Sequence, residues 1–83
     1  MLRNFPNPFN PETTITFELP KPGDISLRVF DLLGRELVTL QSGWAQSGPH
    51  TVTFVAGELP SGVYVYQLTT PDGSRSQKMI LTR

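Results

Sequence analysis

Between residues 13 and 19, Ile15, Phe17 and Leu19 alternate one for one with Thr14, Thr16 and Glu18. This period of two belongs to a strand with one buried face, and no helix reproduces it. The alternation returns where Ile25, Leu27 and Val29 oppose Ser26, Arg28 and Phe30, and again where Tyr64, Tyr66 and Leu68 oppose Val63, Val65, Gln67 and Thr69. Residues 50 to 55 carry Val52 and Phe54 inward, and residues 76 to 82 close the chain with Met79 and Leu81 inward. About six or seven such segments, spaced roughly 8 to 12 residues apart, predict an all-β sandwich of antiparallel strands with almost no helix.

The breaks between segments carry turn chemistry. Pro20-Lys21-Pro22-Gly23 reads as a turn, and Leu32-Leu33-Gly34-Arg35 as a hairpin loop in which Gly34 supplies positive φ and Asp31 accepts from amides just ahead. The return strand is expected over residues 36 to 41. Residues 42 to 49, polar and glycine-bearing apart from Trp44 and Ala45, read as the longest loop and a crossing between sheets. Pro71-Asp72-Gly73-Ser74 is the strongest hairpin signal. Leu59-Pro60-Ser61-Gly62-Val63-Tyr64 suits a tyrosine corner with Tyr64 as the anchor, which favours an immunoglobulin-like Greek-key topology over a barrel. Ahead of these, Pro6, Pro8 and Pro11 make residues 4 to 12 an extended strap at a sheet edge.

A chain of 83 residues is one domain, residues 1 to 83, with a core of about a dozen apolar side chains and no cleft between domains. Seven Lys and Arg balance seven Asp and Glu, so no excess positive field draws nucleic acid or an anionic membrane. Cysteine is absent, which excludes disulfides and thiolate metal sites and leaves the compartment open. No run of about 18 apolar residues spans a bilayer, and the first five residues lack a secretory signal's apolar stretch. Met1, directly before the first patterned residues, is expected to be an initiator added to a domain excised from a longer protein.

Catalysis finds little to work with. His50 is the one imidazole, in register with Val52 and Phe54, so a structural histidine is favoured over a base serving Ser47 or Ser61. Glu12, Glu18, Asp24, Asp31, Glu36, Glu58 and Asp72 fall mostly in turns or on polar faces, and no run resembles a calcium loop. The glycines are scattered singly among turns, which excludes a phosphate cradle. Neither enzymatic activity nor a cofactor or metal is expected. Trp44 remains a candidate sugar platform. Phe30, Val63, Val65 and Ile80 face away from the core as an apolar patch of the kind that meets a partner.

A family resemblance spans residues 4 to 83. Asn4-Phe5-Pro6-Asn7-Pro8-Phe9-Asn10-Pro11, followed by Thr13-Thr14-Ile15, resembles the opening motif of the C-terminal sorting domains of the type IX (Por) secretion system. Val29-Phe30-Asp31-Leu32-Leu33-Gly34-Arg35-Glu36 resembles the family's hairpin, Gly48-Pro49-His50-Thr51-Val52-Thr53-Phe54 its middle strand, Ser61-Gly62-Val63-Tyr64 its Gly-x-Tyr corner, and Lys78-Met79-Ile80-Leu81 its lysine-bearing last strand. Val55 departs from the pattern, which often has an acidic or amide residue there.

The resemblance implies an immunoglobulin-like sandwich that directs an upstream cargo through the type IX translocon, passing the periplasm to reach the cell surface or the medium. In the family, sorting and cleavage machinery commonly removes the domain. Lys78, Met79, Ile80 and Leu81 are the expected recognition residues, with Gly62, Val63 and Tyr64 beside them and the Gly34-Arg35 turn as a further contact. Gly62 and Tyr64 serve recognition or the corner alone, and the sequence leaves both open. Within Asn7-Pro8-Phe9-Asn10-Pro11, Phe9 is expected to anchor the strap to the core. The alternative is a structural spacer or cap, since the domain of flagellar hook-capping proteins shares much of this pattern. A sorting domain is expected to end its chain with the last strand.

Overall fold

Each alternating segment becomes a strand, and the turn signals fall between them. The computed structural model describes residues 2 to 83, so the expectation for Met1 lies outside the described residues. The strands are β1 (Leu2–Phe5), β2 (Glu12–Leu19), β3 (Gly23–Phe30), β4 (Glu36–Ala45), β5 (Gly48–Val55), β6 (Gly62–Thr70) and β7 (Gly73–Leu81). They form a three-stranded sheet in the order β1-β2-β5 and a four-stranded sheet in the order β4-β3-β6-β7, all antiparallel. The pairings β2 with β5 and β3 with β6 join strands distant in sequence, which gives the Greek-key connection of an immunoglobulin-like sandwich.

The core lies between the sheets and is filled by the inward set of each strand. Ile15, Phe17 and Leu19 meet Leu27, Val29, Tyr66 and Met79 from the facing sheet, all buried. The corner between β5 and β6 forms as predicted, with the Tyr64 hydroxyl donating to the Pro60 carbonyl at 2.6 Å. Phe9 adds a side chain from outside the strands: it is 1% exposed and sits edge-on to Phe54 with ring centroids 6.0 Å apart.

The largest differences from the sequence expectation fall at β4, β7 and the strap. β4 runs ten residues to Ala45, so the long loop over residues 42 to 49 shrinks to Gln46 and Ser47, although the crossing between sheets occurs there. Gly23 pairs with Ala45 and Asp24 with Trp44. The difference has a physical cause: this half of β4 pairs regularly with Gly23 to Ser26 at the sheet edge, where polar residues and a glycine such as Gly43, at φ 115°, are tolerated. Its polar, glycine-bearing end therefore looks like a loop. β7 likewise starts at Gly73, directly across the Pro71-Asp72 turn. The start of the strap is itself a strand, since β1 pairs with β2 from Leu2↔Phe17 to Phe5↔Thr14.

Phe9→Ala is expected to destabilise the domain by about 3–5 kcal/mol, the usual effect of emptying a buried phenylalanine site. Phe5→Ala, at a side chain 79% exposed, is expected to change stability by no more than about 0.5 kcal/mol. Urea unfolding of the two variants measures both.

Candidate functional site

β7 pairs with β6 in unbroken register from Thr70↔Gly73 to Gly62↔Leu81, so its side chains divide strictly by parity. Met79 and Leu81 point into the core and are 0% and 1% exposed. Lys78 and Ile80 take the opposite face. There Ile80 lies across from Val63, and Lys78 across from Val65, which pairs on its other side with Phe30. The apolar patch expected from the sequence thus adjoins the end of the last strand. The Arg28 guanidinium lies over the Phe30 ring, 5.5 Å from its centroid, and reaches Glu36 at 3.4 Å and Gln67 at 3.5 Å.

The β3–β4 turn borders the same face. Asp31 organises it: Oδ1 accepts from the Leu33 amide at 2.9 Å and the Arg35 amide at 3.0 Å, and Oδ2 from Arg35 Nε at 2.7 Å. These donors, the Arg35 main-chain amide foremost, hold the Asp31 carboxyl below its ordinary pKa. Gly34 takes φ 84°, the left-handed conformation its place in the turn needs. A shallow depression of about 350 Å³ runs from Leu32 and Gly34 to Phe30, Val65, Gln67 and Ser76. The turn at Asp31, Leu32 and Gly34 and the outer face at Val65, Gln67 and Ser76 therefore share one concavity.

The strap holds the strand from its free edge. The Asn7 carboxamide oxygen accepts from the Ile80 amide at 2.9 Å, with a longer contact from its nitrogen to the Lys78 carbonyl at 3.5 Å. Two residues on, Phe9 donates to the Ile80 carbonyl and accepts from the Thr82 amide, both at 2.9 Å, forming a parallel bridge to Leu81. One side chain and one residue of backbone thus complete the ladder over the end of β7. The strap is fixed at both ends. Pro11 accepts from the Ala56 amide, and Thr13 donates to the Pro6 carbonyl at 2.8 Å while accepting from Asn4. The Asn4 carboxamide oxygen in turn accepts from the buried Tyr66 hydroxyl at 2.9 Å. The Phe5–Pro6, Asn7–Pro8 and Asn10–Pro11 peptide bonds are cis. Arg83 closes the far end, its guanidinium bonded to the carbonyls of Leu59 and Gly57 and its amide to Ser61 Oγ.

Of the remaining candidates, His50 has structural partners. His50 stacks on Phe17 at 5.3 Å and its Nε2 meets the Gln46 carbonyl at 2.7 Å. Among the described residues no group of three or more His, Cys, Asp or Glu is placed to hold a metal ion. Trp44 is 67% exposed, and it stands on β4 rather than in a loop. A larger groove of about 720 Å³ at the other end of the sandwich is lined by Leu2, Leu19, Ile25, Leu68 and the Lys21–Asp72 ion pair.

The sequence profile of a family described as a secretion system C-terminal sorting domain matches residues 3 to 82. The chain belongs to the C-terminal sorting domain family of the type IX (Por) secretion system. Among solved structures the sorting domain is similar to PorZ, described as an essential bacterial surface component of the type-IX secretion system of Porphyromonas gingivalis. The TM-score is 0.71 and the identity 22%, over 99% of this chain and 11% of that one. That likeness bears on the fold, and this chain spans about a ninth of PorZ. No curated protein matches the sequence.

The predicted recognition residues of the sorting domain separate in space. Lys78, Ile80 and Val63 present side chains on the outer sheet face, bordered by Gly34 and Arg35. Met79, Leu81 and Tyr64 are core, and the Tyr64 hydroxyl is occupied by the corner. Gly62 opens β6 opposite Leu81. In the opening motif, Phe9 is the expected anchor, Pro8 and Asn10 flank it, and Pro11 ties the strap to Ala56. The departure at Val55 falls at the exposed end of β5, opposite Glu12. The role of the Asn7 side chain was not legible in the sequence. Its only signal was a carboxamide between two prolines, where an extended backbone offers it no local partner.

Two solution tests follow from this geometry. Asn7→Ala leaves the Ile80 amide without its acceptor and is expected to lower stability by about 1 kcal/mol, read as a reduced urea midpoint. Burial pushes the Tyr66 hydroxyl up to about 12 from its ordinary 10. Above pH 10 the unfolded chain therefore loses a proton that the folded one keeps, and stability falls as pH rises from about 10 to 12. That fall is expected to flatten in Tyr66→Phe, measured by thermal unfolding across that range.

Proposed function

We propose that the type IX translocon recognises this folded domain on the outer face of its four-stranded sheet. Lys78 and Ile80 on β7, Val63 and Val65 on β6, Phe30 on β3 and the Gly34-Arg35 turn make up the surface. The observation that supports this most is the parity of the last strand. The last two outward side chains of β7, Lys78 and Ile80, join a half-buried apolar face made by Phe30, Val63 and Val65, whereas Met79 and Leu81 are needed inside. A cation set among apolar side chains gives such a patch direction as well as area.

In this reading residues 1 to 83 act as one non-catalytic unit. It neither inserts into a membrane nor binds nucleic acid, and it works without a metal or cofactor. Its covalently linked upstream cargo crosses the periplasm with it, reaching the cell surface or the medium, where sorting and cleavage machinery acts on the junction. Export to the outside is the family's role. The surface, the junction and the route are the proposal.

Deleting residues 79 to 83 removes Met79 and Leu81 from the core and so tests folding and recognition together. The double variant Lys78→Glu/Ile80→Ser separates them. In a cargo fusion it is expected to reduce export at least about tenfold, the size of effect that losing an interface anchor produces, while the purified domain keeps its melting temperature. Undiminished export would overturn the proposal. Export intact with a destabilised parent enzyme would favour the structural spacer.

A further inference from the structure

The edge of β7 is closed over only half its length. The Ile80 amide and carbonyl both bond the strap, so both point away from β6. With no register shift in the β6–β7 ladder, the period of two sends the main-chain groups of Lys78, Ser76 and Ser74 the same way. The Lys78 carbonyl meets Asn7. The Lys78 amide and both groups of Ser76 and Ser74 have no partner among the described residues. This regular edge carries no proline and no bulge, unlike β4 at the other side of the sheet with its shifts and Gly43.

Charge identifies what suits that edge. Lys21, Arg28 and Arg35 each face an acid, and Arg83 is engaged by carbonyls. Arg75 and Lys78 have no acid within 4.0 Å among the described residues. They stand on opposite faces of β7, across from Leu68 and Val65, and β7 contains no Asp or Glu. A second copy of β7 added antiparallel over this stretch would set Lys78 opposite Ser74 and Arg75 opposite Gln77, bringing four cations to the seam with no carboxylate to answer them.

We infer that residues 74 to 78 of β7 form a strand-addition site for an extended acidic segment of another protein. The added strand would pair with Ser74, Ser76 and Lys78, continue the line of the strap, and set its carboxylates beside Arg75 and Lys78. The site does not rest on the recognition face proposed above.

Ser76→Pro supplies a clean block, because proline fits extended backbone and removes only the outward amide. The probe is a capped peptide repeating Val-Glu-Glu-Val, which as a strand carries carboxylates on both faces, titrated into the isotope-labelled chain and followed by amide NMR shifts. The expected result is saturable shifts centred on Ser74, Ser76 and Lys78, weakened at least about tenfold in Ser76→Pro and absent with a Val-Lys peptide. Ser74→Pro is expected to weaken binding in the same direction. Equal binding to Ser76→Pro, shifts centred on β4 or β5, self-association of the chain, or no saturation at millimolar peptide would each overturn the inference. So would failure of Ser76→Pro to fold, since that amide would then belong to the β6 ladder. Lys78 serves both surfaces, so Ile80→Ser separates them by leaving both cations of the edge in place: its loss of export bears on the translocon surface alone, and its unchanged peptide binding leaves this result to stand separately.

Discussion

The Ile80 amide points out of its sheet, at the end of an edge strand, and the rest of the architecture is arranged around giving it a partner. No full strand lies there. Asn7 supplies a carboxamide in place of a peptide group, and Phe9 then adds one residue of true backbone pairing. This bond ties the first ten residues to the last five and spans both sheets, because β1 belongs to the three-stranded sheet while the strap serves the four-stranded one. Phe9 makes the tie energetically secure, since its ring is buried against Phe54 and cannot leave without opening the core.

From that closure follows the division of labour on β7. Held by β6 on one side and the strap on the other, the strand cannot rotate or slip, since a one-residue shift would exchange Met79 and Leu81 for Lys78 and Ile80 in the core. The inward pair stabilises and the outward pair is displayed. The Asn4–Thr13–Tyr66 network secures the start of the strap in the same manner, with buried polar groups satisfied by one another rather than by water. Arg83 and Tyr64 perform that service at the β5–β6 corner.

Much of this was legible in the residues. Period-two alternation identified the inward face of β2, β3, β6 and β7, because burial on one face imposes that pattern directly. The Asp31–Arg35 turn and the Tyr64 corner were legible because each uses a local hydrogen bond that its own residues specify. What stayed hidden was non-local or compositional. β4 lost its second half to a polar, glycine-bearing sequence that an edge strand tolerates. Met79, Leu81 and Tyr64 were read both as inward-facing, from the alternation, and as parts of recognition motifs, from the resemblance, and burial in the core is the part the structure carries. Asn7 bonds a residue 73 positions away, and no local pattern specifies such a partner.

The claim that strap and terminal strand are one unit is tested most directly by native-state hydrogen exchange of the intact chain. The Ile80 and Thr82 amides are predicted to exchange only through global unfolding, as slowly as the Tyr66 amide at the centre of the sheet. Exchange of Ile80 and Thr82 at the fast rate of the open-edge amides of Ser74 and Ser76 would contradict the account, since the strap would then not be holding the strand.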